Sequence, residues 1–130
     1  MTLNEAIRTG CHLLVECRDG CIVAQKGGCV LGAAYVGLLG YVPHGNMLMC
    51  DVMPELGRAF PELYELVAIP TLSSARIHSL HSAISYLHYM EHWTREAIAE
   101  WADPHPELHE PMPTVNKLNK VCVNQQEGTA

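Results

Sequence analysis

Four histidines in the second half of the chain have a spacing that could do metal chemistry: His78, His81, His88 and His92. Each residue of an α-helix advances by about 100 degrees, so on one continuous helix the four imidazoles would fall within a stripe roughly 80 degrees wide. Side chains three or four positions apart on a helix can reach one ion, and imidazole is a frequent zinc ligand. The spacing is therefore compatible with a site for a divalent transition metal.

Packing at the edge of a helix explains the same histidines without a metal. An apolar face lies beside the stripe on the same projection, made of Ile77, Leu80, Ala83, Ile84 and Leu87. The two histidine pairs are also about 10 Å apart along the axis, so each pair would need further ligands. No HExxH motif supplies a catalytic glutamate. Edge packing is the default interpretation, and the metal site is the alternative.

The cysteines form a second candidate cluster. Cys17 and Cys21 enclose a turn, and Cys29 follows shortly after. A structural zinc site needs four ligands, so this set is incomplete unless another Cys or His joins it. The chain has six cysteines but no CxxC motif and no visible secretion signal, which predicts reduced thiols in a cytoplasmic protein.

Charge and composition limit the function classes. The 130 residues are 48% hydrophobic and 17% charged, which predicts a folded chain. Eight Lys and Arg against fourteen Asp and Glu give a net charge of -6, which argues against general nucleic-acid binding. The longest apolar run, from Cys29 to Val42, is interrupted by glycines and is shorter than the roughly 20 residues of a membrane span. No transmembrane segment is expected.

The periodicity of apolar residues and the capping residues predict a mainly α, compact, multi-helix single domain with at most a small β-hairpin. Helices are predicted from about Thr2 to Glu16, from Cys29 to Leu39, from about Asp51 with a break at Pro61, from Ala75 to Met90 after caps at Ser73 and Ser74, and from Thr94 to Ala102. The small residues of the second helix would permit close approach to a neighbouring helix. A short strand is expected between Cys21 and Gln25. The helical domain should cover residues 1–102, and prolines 104, 106, 111 and 113 predict an extended or partly disordered tail over 103–130.

The stretch "EHWTREAIAEW" is similar to the first helix of many helix-turn-helix motifs. Thr94 is placed as an N-cap, with Trp93 and Ile98 at the positions of a hydrophobic staple. A DNA-binding motif would need a tight turn of about three to four residues next. Residues 103–113 hold four prolines and three acids instead, so a strong helix start is favoured over DNA binding.

Three segments together carry a resemblance. The chain reads "LNEAIRTG", then "GGCVLGAAYVG", then "HWTREAIAEW", and it resembles a group of small phage, prophage and bacterial proteins with CxLGAAY and WTREAIAxW motifs and no known function. The group's Cys-Pro-x-Cys is replaced here by Ile69-Pro-Thr-Leu72, and its Asn-Asp by His88-Tyr89. The resemblance implies a shared fold and argues against carrying over a metal knuckle.

The sequence does not show a catalytic triad, a paired-carboxylate site or a cofactor loop, which favours a non-enzymatic role. We therefore expect a protein-interaction or accessory module of phage or mobile-element type, acting on an unknown protein partner or on itself. A metal-binding regulatory protein and a DNA-binding accessory protein are the alternatives.

Overall fold

The computed structural model describes residues 1–71 and 77–102, and this part of the chain is mainly helical, as predicted. Its helices are α1 (Leu3–Leu13), α2 (Val30–Leu39), α3 (Met49–Ala59), a 3-10 helix (Pro61–Tyr64), α4 (Leu80–Tyr89) and α5 (Arg95–Trp101). Within the described ranges, each helix is too short or too polar to cross a membrane. The predicted caps at Ser73 and Ser74 and the predicted tail over 103–130 lie outside the described residues.

Helix α1 begins at a capping box. The Thr2 hydroxyl accepts a hydrogen bond from the Glu5 amide at 3.3 Å, and the Glu5 carboxylate accepts one from the Thr2 amide at 3.3 Å. The helix ends at Leu13, earlier than the predicted Glu16. The chain turns extended at Leu14 so that Glu16 can form a backbone bridge with Gly28.

Helix α2 is the centre of the fold, buried on all sides and in contact with α1, α3 and α4. Its contact with α1 depends on glycine. A Cβ at Gly37 would lie 1.9 Å from the Ala6 carbonyl oxygen, and a Cβ at Gly10 would lie 1.7 Å from the Ala33 carbonyl oxygen. The close helix approach predicted from the small residues of α2 is thus confirmed.

A small hairpin joins α1 to α2, and its first strand lies within the strand predicted between Cys21 and Gln25. Strand β1 (Ile22–Val23) pairs antiparallel with β2 (Gly27–Gly28). In the turn between them, the Lys26 amide donates a hydrogen bond to the Val23 carbonyl oxygen at 3.0 Å. Met47 extends the outer side of β1 by exchanging two backbone hydrogen bonds with Ile22, at 3.1 and 2.9 Å. The hairpin is therefore supported from both edges, by Met47 and by Glu16.

A second two-stranded sheet corrects the prediction of at most one hairpin. Strand β3 (Leu66–Ala68) pairs antiparallel with β4 (Ile77–Ser79). The predicted helix over Ala75–Met90 therefore begins only at Leu80, where the Ser79 side chain caps it by accepting a hydrogen bond from the Ser82 amide at 3.4 Å. Backbone pairing with β3 outweighs the helical periodicity of these residues, which local propensity does not show.

The junction of α4 and α5 has the predicted helix start. The Thr94 hydroxyl accepts a hydrogen bond from the Ala97 amide at 3.1 Å. Trp93 is only 2% exposed and meets Trp101 edge-to-face with ring centroids 6.3 Å apart. The indole of Trp93 therefore fixes how the chain enters α5.

Gly37→Ala should destabilise the protein by about 1–3 kcal/mol because its Cβ would collide with the α1 backbone. Gly57→Ala is the matched control: it also lies in a helix, but the atoms nearest to its Cβ would belong to the side chain of the exposed Tyr64, which can move aside. Urea unfolding of both variants measures the difference. A Gly37→Ala protein as stable as the Gly57→Ala protein would contradict the observed crossing of α1 and α2.

Trp93→Ala should lower the free energy of unfolding by about 3–5 kcal/mol because it empties a buried site of aromatic size. Tyr41→Ala removes an exposed ring and should change stability by no more than about 0.5 kcal/mol. Thermal and urea unfolding provide the measurement. Unchanged stability of Trp93→Ala together with loss of a binding activity would instead make Trp93 part of a functional surface.

Candidate functional site

A buried carboxylate–imidazole pair lies beneath the hairpin. The Glu16 carboxylate, with its side chain 4% exposed, contacts the fully buried His88 imidazole, Oε1 to Nε2, at 3.1 Å. Arg18 approaches the other carboxylate oxygen, Nη1 to Oε2, at 3.6 Å. Glu16 lies beside β2 and His88 lies near the end of α4, so the pair joins segments that are distant in sequence.

Two arginines extend this pair to the surrounding backbone. Arg18 Nε donates a hydrogen bond to the His88 carbonyl oxygen at 3.2 Å, at the end of α4 where carbonyl groups lack helical partners. Arg95, at the start of α5, donates from Nη1 to the Gly28 carbonyl oxygen at 3.4 Å and is itself buried. Glu16, Arg18, His88 and Arg95, here called the Glu16 cluster, tie α4 and α5 to the hairpin.

The electrostatics of the Glu16 cluster favour the charged carboxylate. Burial acts to raise the pKa of Glu16, but the hydrogen bond from His88 and the charge of Arg18 outweigh it. The pKa of Glu16 is therefore lower than its ordinary value of 4.5. Glu16 is an anion at neutral pH.

A pair of thiols lies at the base of the hairpin, next to the Glu16 cluster. The Sγ atoms of Cys21 and Cys29 are 3.7 Å apart, and Cys21 Sγ is also 3.8 Å from Met49 Sδ. The hydrogen bond between the two thiols lowers the pKa of Cys29 against the opposing effect of burial. The same hydrogen bond raises the pKa of Cys21, so Cys29 is the more acidic of the two thiols.

Two aromatic side chains of α4 border this thiol pair. Burial, followed by the charge of Cys29, raises the pKa of Tyr89, whose hydroxyl helps to hold the Cys29 thiolate. The charge of His88 acts on Cys29 in the same direction. His88 Nδ1 is buried and has no hydrogen-bond partner among the described residues. Tyr89 and His88 therefore both act to lower the pKa of Cys29, against the burial of the thiol pair.

The predicted histidine stripe is divided between different elements. His78 lies in β4, His81 and His88 lie in α4, and His92 follows α4 with a positive φ of 57°. The His81 ring contacts Tyr64 edge-to-face at 5.6 Å, whereas His88 points to Glu16. Across residues 1–71 and 77–102, no three His, Cys, Asp or Glu side chains are grouped as a metal site requires. Metal binding by the four histidines stays a prediction for metal analysis of the purified protein.

The predicted cysteine cluster is only partly assembled. Cys21 and Cys29 are in contact, whereas the Cys17 sulfur accepts a hydrogen bond from the Asp19 amide at 3.5 Å. None of the five cysteines at described positions is in a disulfide. The structure thus brings two of the three predicted thiols together as a dithiol.

The DNA-binding interpretation depended on the "EHWTREAIAEW" segment, whose only Arg or Lys is Arg95. That side chain is 4% exposed and points to the Gly28 carbonyl. Its guanidinium therefore serves the protein interior and is not presented to a phosphate backbone.

An open groove of about 450 Å³ lies on the outer side of the same hairpin. Its walls are formed by hairpin residues 22–27, the segment 13–15 after the end of α1, and the loop 42–45. Large apolar side chains are exposed along it: Leu13 is 47% exposed, Val15 68% and Val42 39%. We call this feature the hairpin groove.

Sequence reasoning missed the Glu16 cluster. Glu16 was placed as the last residue of a helix, and Arg95 only as the first residue of another. Apart from the Arg18–Glu16 contact, the contacts of the cluster join residues about 70 positions apart, and such pairing leaves no periodic or local signal. The thiols did carry a signal, because Cys21 and Cys29 both belong to the cysteine cluster predicted from their close spacing in the sequence.

Comparisons of the chain with protein-family models, with curated proteins and with solved structures each found no match.

Glu16→Gln should lower stability at neutral pH by about 1–3 kcal/mol because it removes the charged acceptor of a buried hydrogen bond. The pKa of Glu16 is lowered on folding, so its contribution is fully present above about 4.5 and is lost as the pH falls through the lower value of the folded state. The stability difference between wild type and variant should therefore shrink on acidification. Urea unfolding between neutral pH and strongly acidic pH measures it.

Glu65→Gln, at an exposed carboxylate, is the matched control and should show little effect at any of these pH values. The loss in free energy of unfolding caused by Glu16→Gln could instead stay constant on acidification, or equal the loss caused by Glu65→Gln. Either result would show that the buried pair contributes no charge-dependent stability.

Proposed function

We propose that the protein is a cytoplasmic protein-interaction module whose hairpin groove binds an extended segment of a partner protein. The segment presents a bulky apolar side chain next to a carboxylate. The resemblance to small phage and prophage proteins supports an accessory role of phage or mobile-element type. The observation that carries the proposal is the groove itself, a concave surface bordered by exposed apolar side chains and built on a braced hairpin.

The apolar side chains that line the hairpin groove support the proposal that the partner segment binds through a bulky apolar side chain. Val15, Leu13 and Val42 remain exposed although the chain buries an apolar core elsewhere. Exposed apolar side chains around a concave surface are typical of a binding site. Filling the groove with one large side chain would remove these three side chains from water, which is the main source of affinity at protein interfaces.

The charge of the hairpin groove supports the proposal that the partner segment carries a carboxylate next to its bulky apolar side chain. Lys26 and His44 are the titratable side chains among the described residues that line it. The whole chain carries a net charge of -6, so the groove is locally less acidic than the protein average. Lys26 is 3.8 Å from Asp19, but both side chains are well exposed and such pairs are weak. A partner carboxylate can therefore compete for the lysine.

The support under the hairpin keeps the groove in shape before binding. The amides of Cys17 and Gly28 donate to the carbonyls of Gly28 and Val15 at 3.0 and 2.8 Å, which attaches β2 to the segment that forms one wall. The Ala24 amide donates to the Asn46 side chain at 2.8 Å, next to the loop that forms the other wall. A preformed site binds with a smaller entropy cost than one that must order on binding.

Selection of random peptides displayed on phage against the immobilised full-length protein tests this function. We expect enriched peptides to share a bulky apolar residue close to Asp or Glu. Their binding should be lost in Val15→Glu and in Val42→Glu, which place a negative charge at the groove. Leu66→Glu, at an equally exposed apolar position on β3 outside the groove, should bind as the wild type does.

Two outcomes would overturn the proposal. Enriched peptides that bind Val15→Glu and wild type equally would exclude the hairpin groove as the site. Sedimentation that shows a wild-type dimer, and a Val15→Glu monomer, would identify a second copy of the chain as the occupant in place of a partner protein.

A further inference from the structure

The two cysteines that flank the hairpin occupy facing positions on its strands. Ile22 pairs with Gly28, so Cys21 and Cys29 form the next pair along the same antiparallel register. The Cys29 amide donates to the Cys21 carbonyl at 3.1 Å, which continues the ladder to this pair. The side chains meet on the inner face of the hairpin, opposite the groove, with both thiols buried.

The geometry of this pair suits a disulfide. Facing residues of antiparallel strands have Cα atoms about 4.5–5.5 Å apart, within the roughly 4.4–6.8 Å that a disulfide spans. The sulfurs are already 3.7 Å apart and would need to approach to about 2.05 Å. Side-chain rotation and a small backbone shift therefore suffice, without rearrangement of the fold.

We propose that Cys21 and Cys29 are a redox-sensitive pair that a small hydroperoxide converts reversibly into a disulfide closing the base of the hairpin. The pair is 4% and 2% exposed, so a small oxidant can reach it through local opening, whereas glutathione disulfide is too bulky to dock on either sulfur. The inference depends on the position of the two sulfurs and not on what occupies the groove.

The reaction balances with one hydroperoxide. The Cys29 thiolate attacks a peroxide oxygen, the O–O bond breaks, and the departing hydroxide takes up a proton to leave as water when the oxidant is hydrogen peroxide. Cys29 then carries a sulfenic acid. The Cys21 sulfur attacks the Cys29 sulfur, the S–S bond forms, the S–O bond breaks, and the hydroxyl leaves with the Cys21 proton as a second water. Two thiols lose two electrons and the peroxide gains them.

The surroundings assign the two roles. Cys29 is the sulfur that attacks first, because Cys21, Tyr89 and the Gly32 amide all favour its thiolate. Cys21 keeps its proton and lies within reach to resolve the sulfenic acid. Cys11 lies elsewhere on α1, and burial raises its pKa to about 12, so it is a poor competitor for the oxidant.

Peptide mapping of the full-length chain tests this inference. The starting protein is Cys50→Ser, because trypsin leaves Cys29 and Cys50 on one peptide, residues 27–58, and Cys21 on another, residues 19–26. Treatment with hydrogen peroxide should lower the intact mass by two hydrogens and link these two peptides. A thiol reductant should restore the mass, and glutathione disulfide should produce neither the link nor a glutathione adduct at these sites.

Variants separate this pair from other cysteines. Cys21→Ala and Cys29→Ala, each added to Cys50→Ser, should abolish the link, whereas Cys17→Ala should retain it. Circular dichroism before and after oxidation establishes whether each protein is folded. If an alanine variant does not fold, the peptide map of the Cys50→Ser protein still tests the inference.

Three results would overturn the inference. One is a link between the peptide 19–26 and the peptide 9–18, which would make Cys17 or Cys11 the partner of Cys21. The second is a folded protein that stays reduced at peroxide concentrations that oxidise it in urea. The third is oxidation of Cys29 to sulfinic or sulfonic acid without any linked peptide.

Discussion

The buried carboxylate of Glu16 is the constraint on which the arrangement of the other elements depends. A charge inside a protein needs partners close by, and here His88 comes from α4 and Arg18 from the turn before the hairpin. The backbone of Glu16 pairs with Gly28, whose carbonyl also accepts a hydrogen bond from Arg95 of α5. Moving any of these segments would leave a buried charge or carbonyl without its partner, so the hairpin is held in one position.

This fixed hairpin has two different faces, and each supports a proposed role. Its inner face holds the Cys21 and Cys29 sulfurs in contact, and the hydrogen bond between them lowers the pKa of Cys29. Its outer face forms one wall of the hairpin groove, together with the end of α1 and the loop 42–45. The same buried support therefore orders the backbone of a binding surface and aligns a pair of thiols for oxidation.

The elements with strong local signals were predictable from the sequence, and the site was not. The capping box at Thr2, the cap at Thr94, the break at Pro61 and the small residues of α2 all act within a few positions, and each lies where it was expected. The β3–β4 pairing and the Glu16–His88 contact are decided by tertiary packing between distant segments. The four histidines do not lie on one continuous helix for the same reason, because strand β4 takes the place of the start of the predicted helix.

Native-state hydrogen exchange at the hairpin amides is the most direct measurement of whether the hairpin is rigid in the folded protein. If the Glu16 cluster holds it, the amides of Cys17, Gly28 and Cys29 should exchange only through global unfolding, with the same protection as amides of the central helix α2. Exchange of these three amides at rates typical of exposed loops, while α2 stays protected, would contradict a rigid hairpin.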